Sequence, residues 1–140
     1  LGSGTAGIAG SNNYQTAIGA GAVTTAANQV MLGRAADAVV VPGTLSVTGD
    51  VIFAKTITAA ATTGAQTINK TTGAVNFAAS ATSLVVTNSL VTANSVIICT
   101  VGANDTTMKS VAAVAASGSF TMYADAAPTA ETRVYFQVTN

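Results

Sequence analysis

The chain has 140 residues, 49% of them hydrophobic and only 7% charged, with five basic side chains balanced by five acidic ones. A soluble domain typically carries about 25% charge. The balance leaves no field to draw in nucleic acid or an anionic membrane, and the hydrophobic content is too high for a disordered tail.

With no histidine in the chain, a Ser-His-Asp triad and the commonest metal ligand are excluded. Cys99 is the single cysteine, so no intrachain disulfide or Cys-based zinc site can form. Its run, Val96-Ile97-Ile98-Cys99, reads as a buried strand, with the thiol a small core hydrophobe. No apolar run reaches the roughly 18 residues of a membrane helix. The chain opens at Leu1 without methionine and without a signal-peptide pattern, and reads as the distal piece of a longer protein. So few charges make a solitary monomer poorly soluble, and burial of apolar faces against other copies is expected.

The first signal along the chain is a repeat. Gln15-Thr16-Ala17-Ile18-Gly19 aligns with Gln29-Val30-Met31-Leu32-Gly33 at an offset of 14 residues. Each unit sets an apolar residue before glycine, then small residues, and the first unit ends in a polar turn at Thr24-Thr25. A unit this short cannot close a core, so it must stack on the next coil. Glycine permits the bend at each corner.

These units resemble the head repeats of YadA-type trimeric adhesins, whose motif reads roughly Asn-Ser-x-Ala-Ile-Gly. Asn28, Val30, Leu32 and Gly33 fall on that pattern, as do Ala17, Ile18 and Gly19, while Gln29 stands where the motif has serine. The resemblance spans about Gly7 to Ala36. It implies coils of a β-roll packed by three chains on one axis, with Ile18 and Leu32 in the trimer packing.

Next comes VVVPGTLSVTGDVIF, residues 39–53. Pro42-Gly43 and Gly49-Asp50 mark turns, and Leu45, Val47 and Val51 alternate with polar residues at the two-residue period of a strand. The bland alternative is an ordinary hairpin. The segment resembles the short repeated strands of phage tail fibres, where three chains interweave as a β-prism. That resemblance adds Leu45, Val47 and Val51 to the trimer packing candidates.

Residues 55–66, rich in threonine and alanine, read as a connector. Thr67-Ile68-Asn69 and Ala74-Val75-Asn76-Phe77 flank KTTG and read as a hairpin. Strands then recur at Leu84–Val86, Ser95–Val101, Met108–Ala116, around Phe120–Ala124 and at Arg133–Val138. In the fourth, Phe120, Met122 and Ala124 face opposite to Thr121 and Tyr123. In the last, Val134, Phe136 and Val138 face inward and Arg133, Tyr135 and Gln137 outward. Short strands between Gly, Asn, Asp and Pro turns indicate a small antiparallel β-sandwich. The expected fold is therefore all-β, with a trimeric β-roll and β-prism shaft over residues 1–54, a connector over 55–66, and a C-terminal β-sandwich over 67–140.

That C-terminal half, with VVTNSLVTANSVIICTV and GSFTMYADAAPTAETRVYFQVTN, is similar to domains at the tips of phage tail fibres. The resemblance covers about Thr67 to Asn140. It implies a non-enzymatic homotrimer in the virion, outside the cell, that recognises a polysaccharide or protein on the bacterial surface. It implies no cofactor, no nucleic acid and no membrane insertion. A purely structural trimerisation or folding domain, or a fragment of a bacterial trimeric adhesin, are the alternatives.

Catalytic constellations are sparse. Gly19 and Gly21 form a lone GxG explained by the repeat, and no GxxxxGK[ST] phosphate loop occurs. Asp105, Asp125 and Glu131 are the carboxylates a glycosidase pair would need in this half, but each sits where turn chemistry accounts for it. For sugar or receptor contact, exposed aromatics and loop polar groups are required. Asn104, Asp105 and Lys109 in one loop, with outward Tyr123 and Tyr135, are the candidates, and a subunit interface is the competing role for that outward face.

Overall fold

Residues 15–26 and 28–140 are described by a computed structural model. The start of the adhesin-like resemblance, from Gly7 to Tyr14, lies outside them. The chain divides into two compact units, up to Gly49 and from Asp50 onward. Among the described residues every regular element is a β-strand.

In the first unit, β1 (Thr16–Ile18) and β2 (Val30–Leu32) pair in parallel. Their register is Thr16↔Val30, Ala17↔Met31 and Ile18↔Leu32, the 14-residue offset of the sequence repeat. The two matched glutamines serve one purpose. Gln15 Oε1 accepts from the Thr24 hydroxyl at 2.9 Å, and Gln29 Oε1 accepts from the Thr25 N–H at 2.8 Å, so both hold the turn between the strands. Gly19 and Gly33 close the two coils with φ of 115° and 72°, a region L-residues rarely enter. A Cβ on Gly19 would stand 3.3 Å from the Gly33 Cα, so the corners stack backbone on backbone.

Residues 38–54 form no strand. Leu45, Val47 and Val51 alternate as the sequence suggests, but nothing in their own chain covers them and all three are exposed. The strand period marks a side chain suited to a half-buried surface; it supplies no partner.

The second unit holds two four-stranded sheets. Its strands are β3 (Lys55–Ile57), β4 (Gln66–Thr67), β5 (Thr72–Phe77), β6 (Ser83–Thr87), β7 (Val96–Val101), β8 (Val111–Ala116), β9 (Ser119–Ala124) and β10 (Thr132–Thr139). One sheet has the order β3-β5-β10-β7 and the other β4-β6-β9-β8. Their inward faces share one core that includes Val75, Phe77, Val86, Phe120, Met122, Val134 and Phe136. Phe120 from one sheet meets Phe136 from the other edge to face, with ring centroids 5.0 Å apart, a favoured aromatic geometry. Gly73 on β5 makes room for it: a Cβ there would lie 2.6 Å from Phe136 Cζ.

The alternation expected in the last two strands is observed: Phe120, Met122, Val134, Phe136 and Val138 are buried, and Tyr123 and Tyr135 are exposed. The strand expected to be buried at Val96–Cys99 is buried on one face only, with Val96 and Ile98 exposed on the other, and three further expectations need correction. The segment around KTTG is not a hairpin, because β4 pairs with β6 and β5 with β10, in different sheets. Between them the chain crosses the sandwich, dropping Ile68 into the core. The crossing is pinned from both sides: Asn88 Nδ2 donates to the Lys70 carbonyl, and the Val138 N–H to the Thr71 carbonyl. Second, residues 55–66 are more than a connector, since they supply β3 and begin β4. Third, the sheets are not wholly antiparallel: β3–β5 and β4–β6 run parallel.

Candidate functional site

The loop between β7 and β8 is built on Asp105. Its Oδ1 accepts from the Thr107 N–H at 2.9 Å and the Met108 N–H at 3.0 Å. Its Oδ2 accepts from the Thr129 N–H at 2.9 Å and the Thr129 hydroxyl at 2.6 Å. The Thr129 hydroxyl first, then the backbone donors of Met108 and Thr107, hold this carboxyl well below the usual carboxylate range. Asp105 is only 7% exposed. It ties the loop to the segment before β10 and lets Met108 reach the core. It is a positioning residue of the loop.

The other acids of this half are similarly engaged. Asp125 Oδ1 accepts from the Lys109 and Ser110 N–H groups at 3.0 and 3.1 Å. Glu131 accepts from the Ala61 N–H at 2.9 and 3.0 Å, fixing a residue whose φ is 63°. This folds residues 58–62 over the outer face of β5. There Asn76 Nδ2 donates to the Ala59 and Thr62 carbonyls, so an amide that is almost fully buried on a central strand is satisfied. Arg133 completes the arrangement by donating from Nε to Asn76 Oδ1 and from Nη2 to the Thr58 carbonyl, both at 3.2 Å.

Beside this lies the exposed part. Tyr135, on the outer face of β10 and 42% exposed, packs against Gly102 just past the end of β7. A Cβ on Gly102 would stand 2.3 Å from the tyrosine ring. An open cleft of about 550 Å³ borders the ring and includes Gly102, Asn104 and Lys109. Lys109 Nζ donates to Asn104 Oδ1 at 3.3 Å and to the Asp105 carbonyl. A second cleft of about 390 Å³ also borders the ring, with Asn76, Glu131 and Arg133 in its wall.

Three of the five expected contact residues, Asn104, Lys109 and Tyr135, therefore meet at one place, with Asp105 beneath them. Tyr123 does not join them. It sits on the outer face of the other sheet, opposite Ser83 on β6 and Ala112 on β8. Gly102, Glu131 and Arg133 were not among the expected contacts. The one sequence signal for Gly102 was a glycine directly after the strand Val96–Val101.

The expected packing residues lie elsewhere. Ile18 and Leu32 stand side by side in the β1–β2 register and are about half exposed, as are Val47 and Val51, while Leu45 is 70% exposed. Cys99 lies on the core-facing side of β7, where burial pushes its thiol up to about 11. Comparison of the chain with family models, with curated proteins and with solved structures found no match.

Proposed function

We propose that this chain is the distal part of a bacteriophage tail fibre: a non-enzymatic homotrimer of the virion whose C-terminal sandwich recognises a polysaccharide or protein on the bacterial surface. The observation that carries the reading is the segment 39–53. Val39, Val40, Val41, Leu45, Val47, Val51, Ile52 and Phe53 are all exposed in the single chain. An apolar display of this extent calls for a partner, and in a chain so poor in charge a second and third copy are the natural ones. Coils stacked at a 14-residue register, followed by strand-patterned segments unpaired in their own chain, fit a shaft in which three chains share a β-roll and a β-prism.

Light scattering after gel filtration tests this first. A mass of three chains is expected, and trimers should compete with virions for adsorption to susceptible cells. A stable single chain overturns the shared-axis reading. A second reading, a folding and trimerisation module with receptor contact elsewhere, is favoured by the engagement of Asp105, Asp125 and Glu131 in loop structure. Under it, trimers form but fail to compete with virions.

A further inference from the structure

The region around Tyr135 has a composition that distinguishes it from the outer face of the opposite sheet. The outer face of the β4-β6-β9-β8 sheet shows Val85, Thr121, Val114 and Tyr123 with no charged side chain among its paired positions. Around Tyr135, by contrast, cations and an anion stand within two adjoining clefts: Lys109 in one, Arg133 and Glu131 in the other. The cations make no ion pair there; among the described residues the salt bridge is Arg34–Asp37, in the first unit. Lys109 and Arg133 donate to amide and backbone carbonyl oxygens. The ring itself is held from below, because Gly102 brings backbone against it where any other residue would push it away.

This set suits one class of ligand. A pyranose has apolar C–H faces that stack on an aromatic ring, and hydroxyls at its rim that both donate and accept hydrogen bonds. Tyr135 supplies the ring; Asn104 supplies an amide with donor and acceptor; Lys109 and Arg133 donate, and Glu131 accepts. The larger cleft, at about 550 Å³, is within the range of small-ligand sites, about 300–1,000 Å³. A protein partner would seek a broad apolar core; the apolar side chains of the larger cleft's wall beside the ring, Val101 and Met108, are half-buried and buried, and Thr100, Asn104 and Lys109 supply its polar groups.

We infer that the Tyr135–Gly102 ledge, flanked by Asn104 and Lys109 on one side and Arg133 and Glu131 on the other, is a saccharide-binding site. The inference deepens the receptor-tip reading and rests on it for its biological setting, but the site can be tested apart from it.

The whole chain is applied to an array of immobilised bacterial surface oligosaccharides, neutral and acidic, whose multivalent display raises the avidity of weak single sites. Capture by at least one oligosaccharide is expected. Tyr135→Ala should weaken it about tenfold, the loss that follows removal of an aromatic anchor. Asn104→Ala, in an exposed loop, should weaken it with an unchanged melting temperature, and guards against misfolding of the tyrosine variant. No capture, or capture indifferent to both substitutions, overturns the site. So does capture that Tyr123→Ala abolishes and Tyr135→Ala leaves intact. A protein that blocks virion adsorption yet captures no oligosaccharide removes the saccharide inference and leaves the fibre reading. A single-chain protein that captures an oligosaccharide through Tyr135 does the reverse.

Discussion

Ile18 and Leu32 in the first unit lie side by side and stay about half open to solvent, whereas Phe120 and Phe136 in the second meet edge to face and are both buried. Both regions draw on the same charge-poor, β-forming alphabet. The difference is where each apolar side chain finds its partner. In the sandwich, period-two alternation on two sheets brings partners from within the chain to the inward-facing apolar side chains, while Val96, Ile98 and Val114 on the outer faces stay exposed. In residues 15–54 the strands are short or absent, and the same alternation leaves apolar groups displayed. A hydrophobic pattern thus marks surface to be hidden without saying which molecule hides it.

The sharpest way to break the comparison is to strike each region at its own partner. Phe120→Ala removes one ring of the buried pair and should cost about 3–5 kcal/mol, a large part of the stability of a small domain. Thermal melting should show the sandwich much weakened or unfolded. Leu45→Asp, at a side chain 70% exposed, should leave the melting of the sandwich unchanged and, under the proposed shared-axis trimer, lower the solution mass from three chains to one. If Leu45→Asp destabilises the sandwich as Phe120→Ala does, the two regions are not held separately.

A gentler pair uses glycine. Gly73→Ala places a methyl 2.6 Å from Phe136 Cζ and 3.0 Å from the Thr56 carbonyl. Overpacking of this kind costs about 1–3 kcal/mol and should lower the sandwich's melting temperature. Gly33→Ala, at φ 72° and 2.9 Å from Asp37 Cβ, costs about 1–2 kcal/mol of backbone strain. Its effect should appear in the association of the coils and leave the sandwich melting unmoved.

The same contrast explains what could be read from residues alone. Strands β9 and β10 were legible because apolar and polar positions alternate between turn signals, and β6, β7 and β8 because short apolar runs stand between turn signals. The 14-residue coil was legible because Gln15 and Gln29 recur with the glycines they precede, and the register Thr16↔Val30 follows from that recurrence. Strand partners were not legible. KTTG looks like a loop between neighbours, but Thr67 and Thr72 belong to different sheets, and alternation is silent on which strand lies alongside. β3 and β4 are short edge strands without an apolar period. The cleft was half legible. Outward Tyr135 and a polar loop could be named, whereas Gly102, Glu131 and Arg133 join them only through the fold, and the support that Asp105 gives the loop shows only there, because Thr129 lies 24 residues away along the chain.

Two aspartates offer the finest distinction between the regions. Asp37, exposed in the first unit, is held below its usual range by the Arg34 side chain. Asp105, buried in the second, is held there by the Thr129 hydroxyl and by backbone N–H groups. A carboxyl whose folded pKa is depressed contributes stability that is fully present above its unfolded value, about 3.9, and is lost as pH falls through the folded one. Asp105→Asn should therefore melt below the unaltered chain at pH 7. The gap should narrow as pH falls from about 5 towards 2, because the unaltered chain loses its advantage there. High salt separates the two residues. An exposed ion pair is screened, so 1 M salt (about a 3 Å Debye length) should shrink the effect of Asp37→Asn to what its hydrogen bond from the Arg34 N–H, at 2.8 Å, contributes. It should leave the Asp105→Asn gap standing, since the partners of the Asp105 carboxylate carry no net charge. A gap that salt also abolishes would mean that long-range charge, rather than the Thr107, Met108 and Thr129 donors, holds the loop on which Asn104 and Lys109 are mounted.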